Sequence, residues 1–169
     1  DGEDWTGAVA RALVDAAREA IAARDVFSLC LTGGSTPRPL YEALGREPYR
    51  SALDWSRVLI FFGDERSVGP DHPDSNYRMA REAWLGHGPV SAGTIFRMEG
   101  EAGGDPEALE AAAGRYAALM RRHLLPNDAG FPVLDLLLLG MGGDGHTASL
   151  FPGTAALGEH MKTVTANEV

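Results

Sequence analysis

Lysine is almost absent from this sequence. Lys162 is the single lysine among 169 residues, and acidic side chains outnumber basic ones to give a formal net charge of −9. Surfaces that bind nucleic acid or anionic membranes need clustered positive side chains. We therefore expect neither kind of partner, although a locally positive pocket could still bind a small anion.

Cysteine is equally scarce, since Cys30 is the only one. It lies in an apolar run, as a small core residue would, and a single cysteine cannot form an intramolecular disulfide. This composition fits a reducing compartment, so we predict a cytoplasmic protein. No apolar run is long enough to span a bilayer, and the acidic residues 1–4 do not resemble a signal peptide.

The composition and the pattern of apolar residues are those of one folded α/β domain, which we place at residues 1–169. The chain is 44% hydrophobic and 23% charged. Apolar spacing predicts helices at about 6–24, 37–44, 76–84 and 107–124. Short apolar runs predict strands at 26–31, 58–62, 95–97 and 134–139. Because helices and strands alternate, we predict a doubly wound, mainly parallel α/β sheet with helices on both faces.

Polar loops that contain glycine follow three of these predicted strands. They are Gly33–Ser35, Gly63–Arg66 and Gly142–His146. Each loop alone could be an ordinary solvated turn. Because the carboxyl ends of parallel strands meet at one edge of a sheet, where ligands bind, we expect the three loops to form one site.

The first loop has the pattern of an anion-binding turn. Glycines precede a predicted helix in which Thr36 could be the N-cap and Pro37 the first residue. Backbone N–H groups in such a turn can hold a phosphate. A plain strand-to-helix turn explains this piece equally well, and the lysine of a nucleotide-binding P-loop is absent.

The last loop brings a carboxylate and an imidazole together directly after a strand. Asp144 and His146 are a candidate general base and its orienting partner. Gly140, Gly142 and Gly145 also fit a dinucleotide-binding turn, but no strand-end carboxylate follows about 20 residues later. The other histidines show no spacing typical of metal ligands, so we predict no metal site.

Together, three motifs resemble those of the 6-phosphogluconolactonase family, whose wider superfamily includes glucosamine-6-phosphate deaminase/isomerase. The motifs are Leu31–Pro37, Gly63–Arg66 with Ser75–Asn76, and Gly142–Gly153. The resemblance implies a Rossmann-like fold and hydrolysis of 6-phosphoglucono-δ-lactone in the pentose phosphate pathway. It also implies that the reaction uses neither a metal nor another cofactor.

The resemblance further implies roles for individual residues. His146 would be the base that activates water, Asp144 would support it, and Arg66 would line the sugar and phosphate pocket. In a hydrolysis of this kind, Arg66 or loop N–H groups could stabilise the developing negative charge. Residues implied to bind the substrate are Gly33, Gly34, Ser35, Asp64, Asn76 and Gly143.

Two features bear on the alternatives. The deaminase branch carries a carboxylate where this chain has Phe151, which favours the lactonase. A sugar-phosphate-binding protein without catalysis stays open, as does the oligomeric state. Members of the family extend beyond the position of Val169, so we expect part of the fold and further basic residues to lie outside this sequence.

Overall fold

The computed structural model describes residues 5–101 and 103–168. The prediction made for residues 1–4 falls outside these ranges. The first and last residues of the predicted domain, 1 and 169, also lie outside them. The helices are α1 (Trp5–Arg24), α2 (Arg38–Leu44), α3 (Asn76–Ala80), which continues as a π turn (Arg81–Leu85), and α4 (Pro106–His123). The strands are β1 (Phe27–Leu31), β2 (Val58–Phe62) and β3 (Leu136–Leu137). No helix within the described ranges is long and apolar enough to cross a membrane.

The three strands form a parallel sheet in the order β2-β1-β3. Leu29 at the centre of β1 pairs with Ile60 on one side and with Leu136 on the other. The chain therefore leaves β1 in one direction to form β2 and returns to the opposite side to form β3. This reversal creates a switch point between the carboxyl ends of β1 and β3, where open α/β sheets bind ligands.

Side chains that alternate along the strands supply two cores. Leu29, Leu31 and Ile60 are buried in a cluster with residues of α1, α2 and α3. Cys30 and Phe61 face the other side and pack with residues of α4. Burial, with a smaller contribution from the Asp64 charge, raises the pKa of the Cys30 thiol to about 12, so it stays neutral in the core. Helices on both faces confirm the predicted doubly wound α/β class.

The predicted strand at 134–139 is wrong in length, because only Leu136–Leu137 form β3. Just before β3, hydrogen bonds that involve side chains take the place of the backbone hydrogen bonds between strands. The carboxylate of Asp135 accepts hydrogen bonds from the N–H and hydroxyl of Ser28, both at 2.8 Å, and the Asp135 N–H donates to the Ser28 hydroxyl at 2.8 Å. After β3, one further bond runs from the Leu138 N–H to the Cys30 carbonyl, and the glycine loop then begins.

The predicted strand at 95–97 is also wrong. Ile95 makes a single parallel bridge with Ile60, and the Phe96 N–H donates to the Ile60 carbonyl at 2.8 Å. The hydroxyl of Tyr116 then occupies the edge of β2. It accepts from the Phe62 N–H at 2.8 Å and lies 3.2 Å from the carbonyls of Phe62 and Phe96. Burial raises the pKa of Tyr116, so the hydroxyl keeps its proton and can donate to either carbonyl.

Tyr116→Phe should therefore destabilise the fold. The change removes only the hydroxyl and leaves the buried Phe62 N–H without its acceptor, which costs about 1–3 kcal/mol. Urea unfolding followed by circular dichroism measures the free energy. Tyr49→Phe is the matched control, because Tyr49 donates to the Gly7 carbonyl at 3.2 Å in a part-buried position. Equal losses in the two variants would contradict a special role for the Tyr116 hydroxyl.

Candidate active site

A cavity of about 440 Å³ lies at the switch point between β1 and β3. This volume suits a small ligand. Residues from the loops after all three strands line it. Among the predicted site residues, the cavity wall includes Gly33, Gly34, Ser35, Asp64, Arg66, Asn76 and His146. Asp144 and Gly143 do not line it.

His146 and Asp144 form a hydrogen-bonded pair at this cavity. The Nδ1 of His146 lies 2.5 Å from Asp144 Oδ1, which also accepts the His146 backbone N–H at 3.2 Å. The hydrogen bond from the imidazole, with the backbone bond added, holds the pKa of the Asp144 carboxyl below its ordinary value. Since an ionised carboxylate has no proton to give, Nδ1 carries the hydrogen. The Nε2 lone pair is therefore the basic one.

A close approach by Gly142 fixes the position of the imidazole. A Cβ atom at Gly142 would overlap the His146 ring. The Gly142 N–H donates to the His146 carbonyl at 2.8 Å, and the Phe151 ring stacks on the imidazole with centroids 4.2 Å apart. The family resemblance implied a role for Gly143 and not for Gly142. The contact between Gly143 and the substrate stays a prediction. The two glycines differ in the position of the His146 ring, which lies against Gly142 and not against Gly143.

The Gly33–Ser35 loop leaves β1 on the other side of the cavity. The hydroxyl of Tyr41 accepts the Thr32 N–H at 3.0 Å and lies 2.8 Å from the Thr32 carbonyl, which fixes the start of the loop. Gly34 has φ +87°, a left-handed conformation that favours glycine. Within the described part of the chain, the N–H groups of Gly34 and Ser35 have no hydrogen-bond acceptor.

The start of α2 differs from the prediction. Pro37 is the N-cap, no side chain caps the helix, and Arg38 is its first residue. The predicted N-cap role of Thr36 is therefore wrong. Proline fixes its own φ near the helical value and lacks an N–H, so it ends the loop without a capping side chain.

A buried polar cluster lies behind the cavity. The Asp64 side chain is nearly buried, and its two oxygens accept from different segments: Oδ1 from Asn76 Nδ2 at 3.2 Å and Oδ2 from the Ser149 hydroxyl at 2.6 Å. Asn76 Nδ2 also donates to the Asp64 carbonyl at 3.1 Å. The Asn76 amide lies so close to Gly33 that a Cβ there would overlap it. The cluster therefore joins the loops after all three strands.

Glu65 contributes to the site through the start of α3, a role that the sequence did not reveal. Its carboxylate accepts the N–H groups of Asn76 and Tyr77 at 2.7 and 2.9 Å and the Ser75 hydroxyl at 3.0 Å. Ser75 is the N-cap of α3, and its hydroxyl accepts the Arg78 N–H. A carboxylate at this end of a helix is favourable. Because Glu65 lies ten positions before Ser75 in the chain, no helix-capping spacing signals it.

Positive charge is limited at the cavity. Of the described lysines and arginines, only Arg66 lines it. Arg38, which could have been a second cation, pairs instead with Glu42 at 3.1 Å. Gly100 packs tightly on the backbone carbonyls of Arg66 and Val68, where a Cβ would overlap them. The backbone at Arg66 is therefore held in place.

No group of three or more His, Cys, Asp or Glu side chains in the described ranges could hold a metal ion. A reaction without a metal or another cofactor stays a prediction of the family resemblance.

Known proteins resemble this chain in both sequence and structure. The 6-phosphogluconolactonase of Synechocystis sp. is 47% identical over 148 residues, which cover 86% of this chain and 58% of that protein. That of Nostoc sp. is 40% identical over 165 residues, covering 96% and 65%. The solved structure of 6-phosphogluconolactonase from Trypanosoma brucei matches with a TM-score of 0.81 at 33% identity, covering 94% of this chain and 64% of that one.

The chain thus spans about three fifths of the length of these two curated relatives. The family model described as glucosamine-6-phosphate isomerases/6-phosphogluconolactonase matches residues 1–169. Since that match includes every loop that lines the cavity, we conclude that the chain belongs to the glucosamine-6-phosphate isomerase/6-phosphogluconolactonase family.

Proposed function

We propose that this chain carries the catalytic site of a 6-phosphogluconolactonase, which hydrolyses 6-phosphoglucono-δ-lactone to 6-phosphogluconate in the pentose phosphate pathway. The observation that carries the proposal is the imidazole of His146, held through Nδ1 by Asp144 at a cavity that the Gly33–Ser35 loop also lines. The relatives named 6-phosphogluconolactonase support the choice of substrate. A cytoplasmic location belongs to the same proposal.

The proposed reaction needs one proton acceptor that later becomes a donor. Nε2 of His146 takes a proton from water as its oxygen attacks the lactone carbonyl, and a tetrahedral oxyanion forms. The same nitrogen then returns the proton to the ring oxygen as that oxygen leaves. General acid–base catalysis of this kind contributes about a hundredfold to ten-thousandfold. Arg66 or loop N–H groups stabilise the oxyanion.

In this proposal the loop Gly33–Ser35 holds the phosphate and orients the lactone. Its free N–H groups and the left-handed Gly34 form a concave turn that suits an anion. Arg66 contributes the positive charge. Asp64 and Asn76 shape the wall of the pocket through the buried cluster.

A deaminase/isomerase reaction is the less favoured alternative. Opening an amino-sugar ring calls for an acid–base group where the Phe151 ring stacks on His146. Phenylalanine cannot transfer a proton, so this side of the imidazole supports lactone hydrolysis only. Parallel assays for lactone hydrolysis and ammonia release test both activities, and binding without turnover would indicate a sugar-phosphate sensor.

His146→Ala should lower kcat for lactone hydrolysis by at least about a hundredfold, because water loses its proton acceptor. Turnover is measured above the spontaneous hydrolysis of the lactone. His72→Ala is the matched control: His72 also lies two residues from an aspartate, with Nδ1 3.7 Å from Asp74, but does not line the cavity. Near-native turnover by His146→Ala would contradict its role as the base.

Gly34→Ala should weaken the binding of 6-phosphogluconate by roughly five- to thirtyfold, since a left-handed alanine costs about 1–2 kcal/mol. The space around Gly34 is open, so backbone strain alone causes the effect. Calorimetry with 6-phosphogluconate and with gluconate separates the phosphate from the sugar. Gly69→Ala is the control, since that glycine is also in open space but has no positive φ. Equal weakening of both ligands by Gly34→Ala would argue against phosphate binding.

The single arginine at the cavity predicts weak phosphate binding by these 169 residues alone. A phosphate dianion normally has several charge-assisted partners, each worth about 1.5–3 kcal/mol. We expect the chain to bind 6-phosphogluconate at least about tenfold more weakly than the longer Synechocystis relative does. Calorimetry on both proteins checks this, and equal affinity would show that the described residues supply the whole phosphate site.

A further inference from the structure

Residues 142–153 form a segment that we call the His146 loop. Hydrogen bonds inside it shape the backbone: the Gly145 N–H donates to the Gly142 carbonyl at 3.0 Å, and the Leu150 N–H to the Thr147 carbonyl at 2.9 Å. The bond from Gly142 to His146 and the stacking of Phe151 are internal as well. None of these interactions fixes the loop to the sheet.

Within residues 5–101 and 103–168, Thr154, the residue after the His146 loop, donates to the Phe151 carbonyl, and every other hydrogen bond between the loop and another part of the fold involves Ser149. Its hydroxyl donates to Asp64 Oδ2 at 2.6 Å. Its carbonyl accepts from the Asn167 side-chain amide at 2.6 Å. One residue therefore provides the polar connection between the loop that carries the imidazole and the rest of the protein.

The acceptor at the far end of this connection is itself held in place. Asp64 Oδ1 accepts from Asn76 at the start of α3, and the Glu65 carboxylate accepts the first N–H groups of that helix. Asp64 follows Gly63, the first residue after β2. The Gly63 N–H donates to the Leu31 carbonyl at 2.9 Å. The hydroxyl of Ser149 is thus bonded to a part of the fold with little freedom to move.

The backbone of the residue before Ser149 is strained. Ala148 has φ +51°, a left-handed conformation that is uncommon for a residue with a side chain. It turns the chain between the imidazole and Ser149, and such strain persists only where surrounding interactions hold it. The hydrogen bond to Asp64 is one such interaction.

We propose that Ser149 is a positioning residue for His146, which acts by bonding the His146 loop to the buried carboxylate of Asp64. This proposal rests on the proposed function for its effect on turnover, but the bond itself can be tested without turnover. Loss of the hydroxyl leaves Asp64 Oδ2 without a donor and leaves the loop held only by Asn167 and by apolar packing. The imidazole then samples positions from which it cannot take a proton from water.

Three variants test this proposal. Ser149→Ala removes the hydroxyl, Ser149→Thr keeps it, and Ser56→Ala is the matched control. Ser56 donates to Asp54 Oδ1 at the same 2.6 Å, but it is exposed and lies in the turn that precedes β2, at the opposite edge of the sheet.

Amide hydrogen exchange resolved by peptide measures the bond directly. Exchange in the His146 loop should accelerate roughly tenfold to a hundredfold in Ser149→Ala, the range for one hydrogen bond to a charged acceptor. Peptides from α1 and β1 should keep their exchange rates. Ser149→Thr and Ser56→Ala should stay within about threefold of the unmodified chain in the loop. Unchanged loop exchange in Ser149→Ala would overturn the proposal.

Lactone turnover supplies the second measurement. Ser149→Ala should lower kcat about tenfold or more with KM within about threefold, because the phosphate-binding loop is separate from the imidazole. Ser149→Thr should restore kcat. A rise in KM at constant kcat would overturn the positioning role. An unmodified chain without turnover would contradict the proposed function, while the exchange rates would still decide whether Ser149 holds the loop.

Should Ser149→Ala fail to fold, Asn167→Ala tests the same connection from its other side. This variant removes the donor to the Ser149 carbonyl but leaves Asp64 paired with the hydroxyl. The loop should then exchange faster by less than about tenfold, since the bond to Asp64 remains. If exchange in the loop of Asn167→Ala accelerated by the tenfold to hundredfold expected for Ser149→Ala, the bond to Asp64 would not be restraining the loop. That result would overturn the proposal.

Discussion

The geometry of the candidate site depends on the buried carboxylate of Asp64. A charge removed from water costs several kcal/mol unless hydrogen bonds replace the lost hydration. Here the replacements come from Asn76 and Ser149, which follow different strands, and the Asn76 amide lies against Gly33 in a third loop. Satisfying one carboxylate therefore brings together the segments after β2 and β3, and the amide that takes part also packs against the loop after β1. Loops that would otherwise move independently form one wall of the cavity.

The two aspartates of the site differ in exposure and therefore in what they can do. Asp64 is 9% exposed and accepts from fixed amide and hydroxyl groups. The side chain of Asp144 is 53% exposed and accepts from an imidazole that can change its protonation state. A buried carboxylate with a donor at each oxygen suits a structural role, whereas a carboxylate beside a titratable ring suits support of proton transfer. With two carboxylates and one arginine nearby, an anionic ligand must rely mainly on backbone N–H groups within these residues.

Local patterns predicted much of the fold, and non-local contacts explain the differences. The limits of β2 and the span of α1 follow from the spacing of apolar residues. The late start of the last strand depends on Ser28 and Asp135, and the missing edge strand depends on Tyr116. All three are distant in sequence from the backbone groups they bind. At the site, adjacency in sequence revealed the pair of Asp144 and His146. The roles of Glu65 and Ser149 depend on partners ten or more positions away in the sequence, so no short spacing could reveal them.

The glycines of the motifs show that a sequence pattern can locate a site without revealing why glycine is needed at each position. Gly33 and Gly142 are both required by side chains of the protein itself, since Asn76 and the His146 ring occupy the space that a Cβ would need. Gly34 differs, because the space around it is open and only its left-handed backbone favours glycine. A glycine loop at a strand end therefore combines two constraints. One lets the side chains of Asn76 and His146 approach the backbone, and the other shapes the backbone of the loop that lines the cavity. Of the glycines in these motifs that line the cavity, Gly34 is the one with a left-handed backbone, and this conformation supports its proposed role in binding an anion.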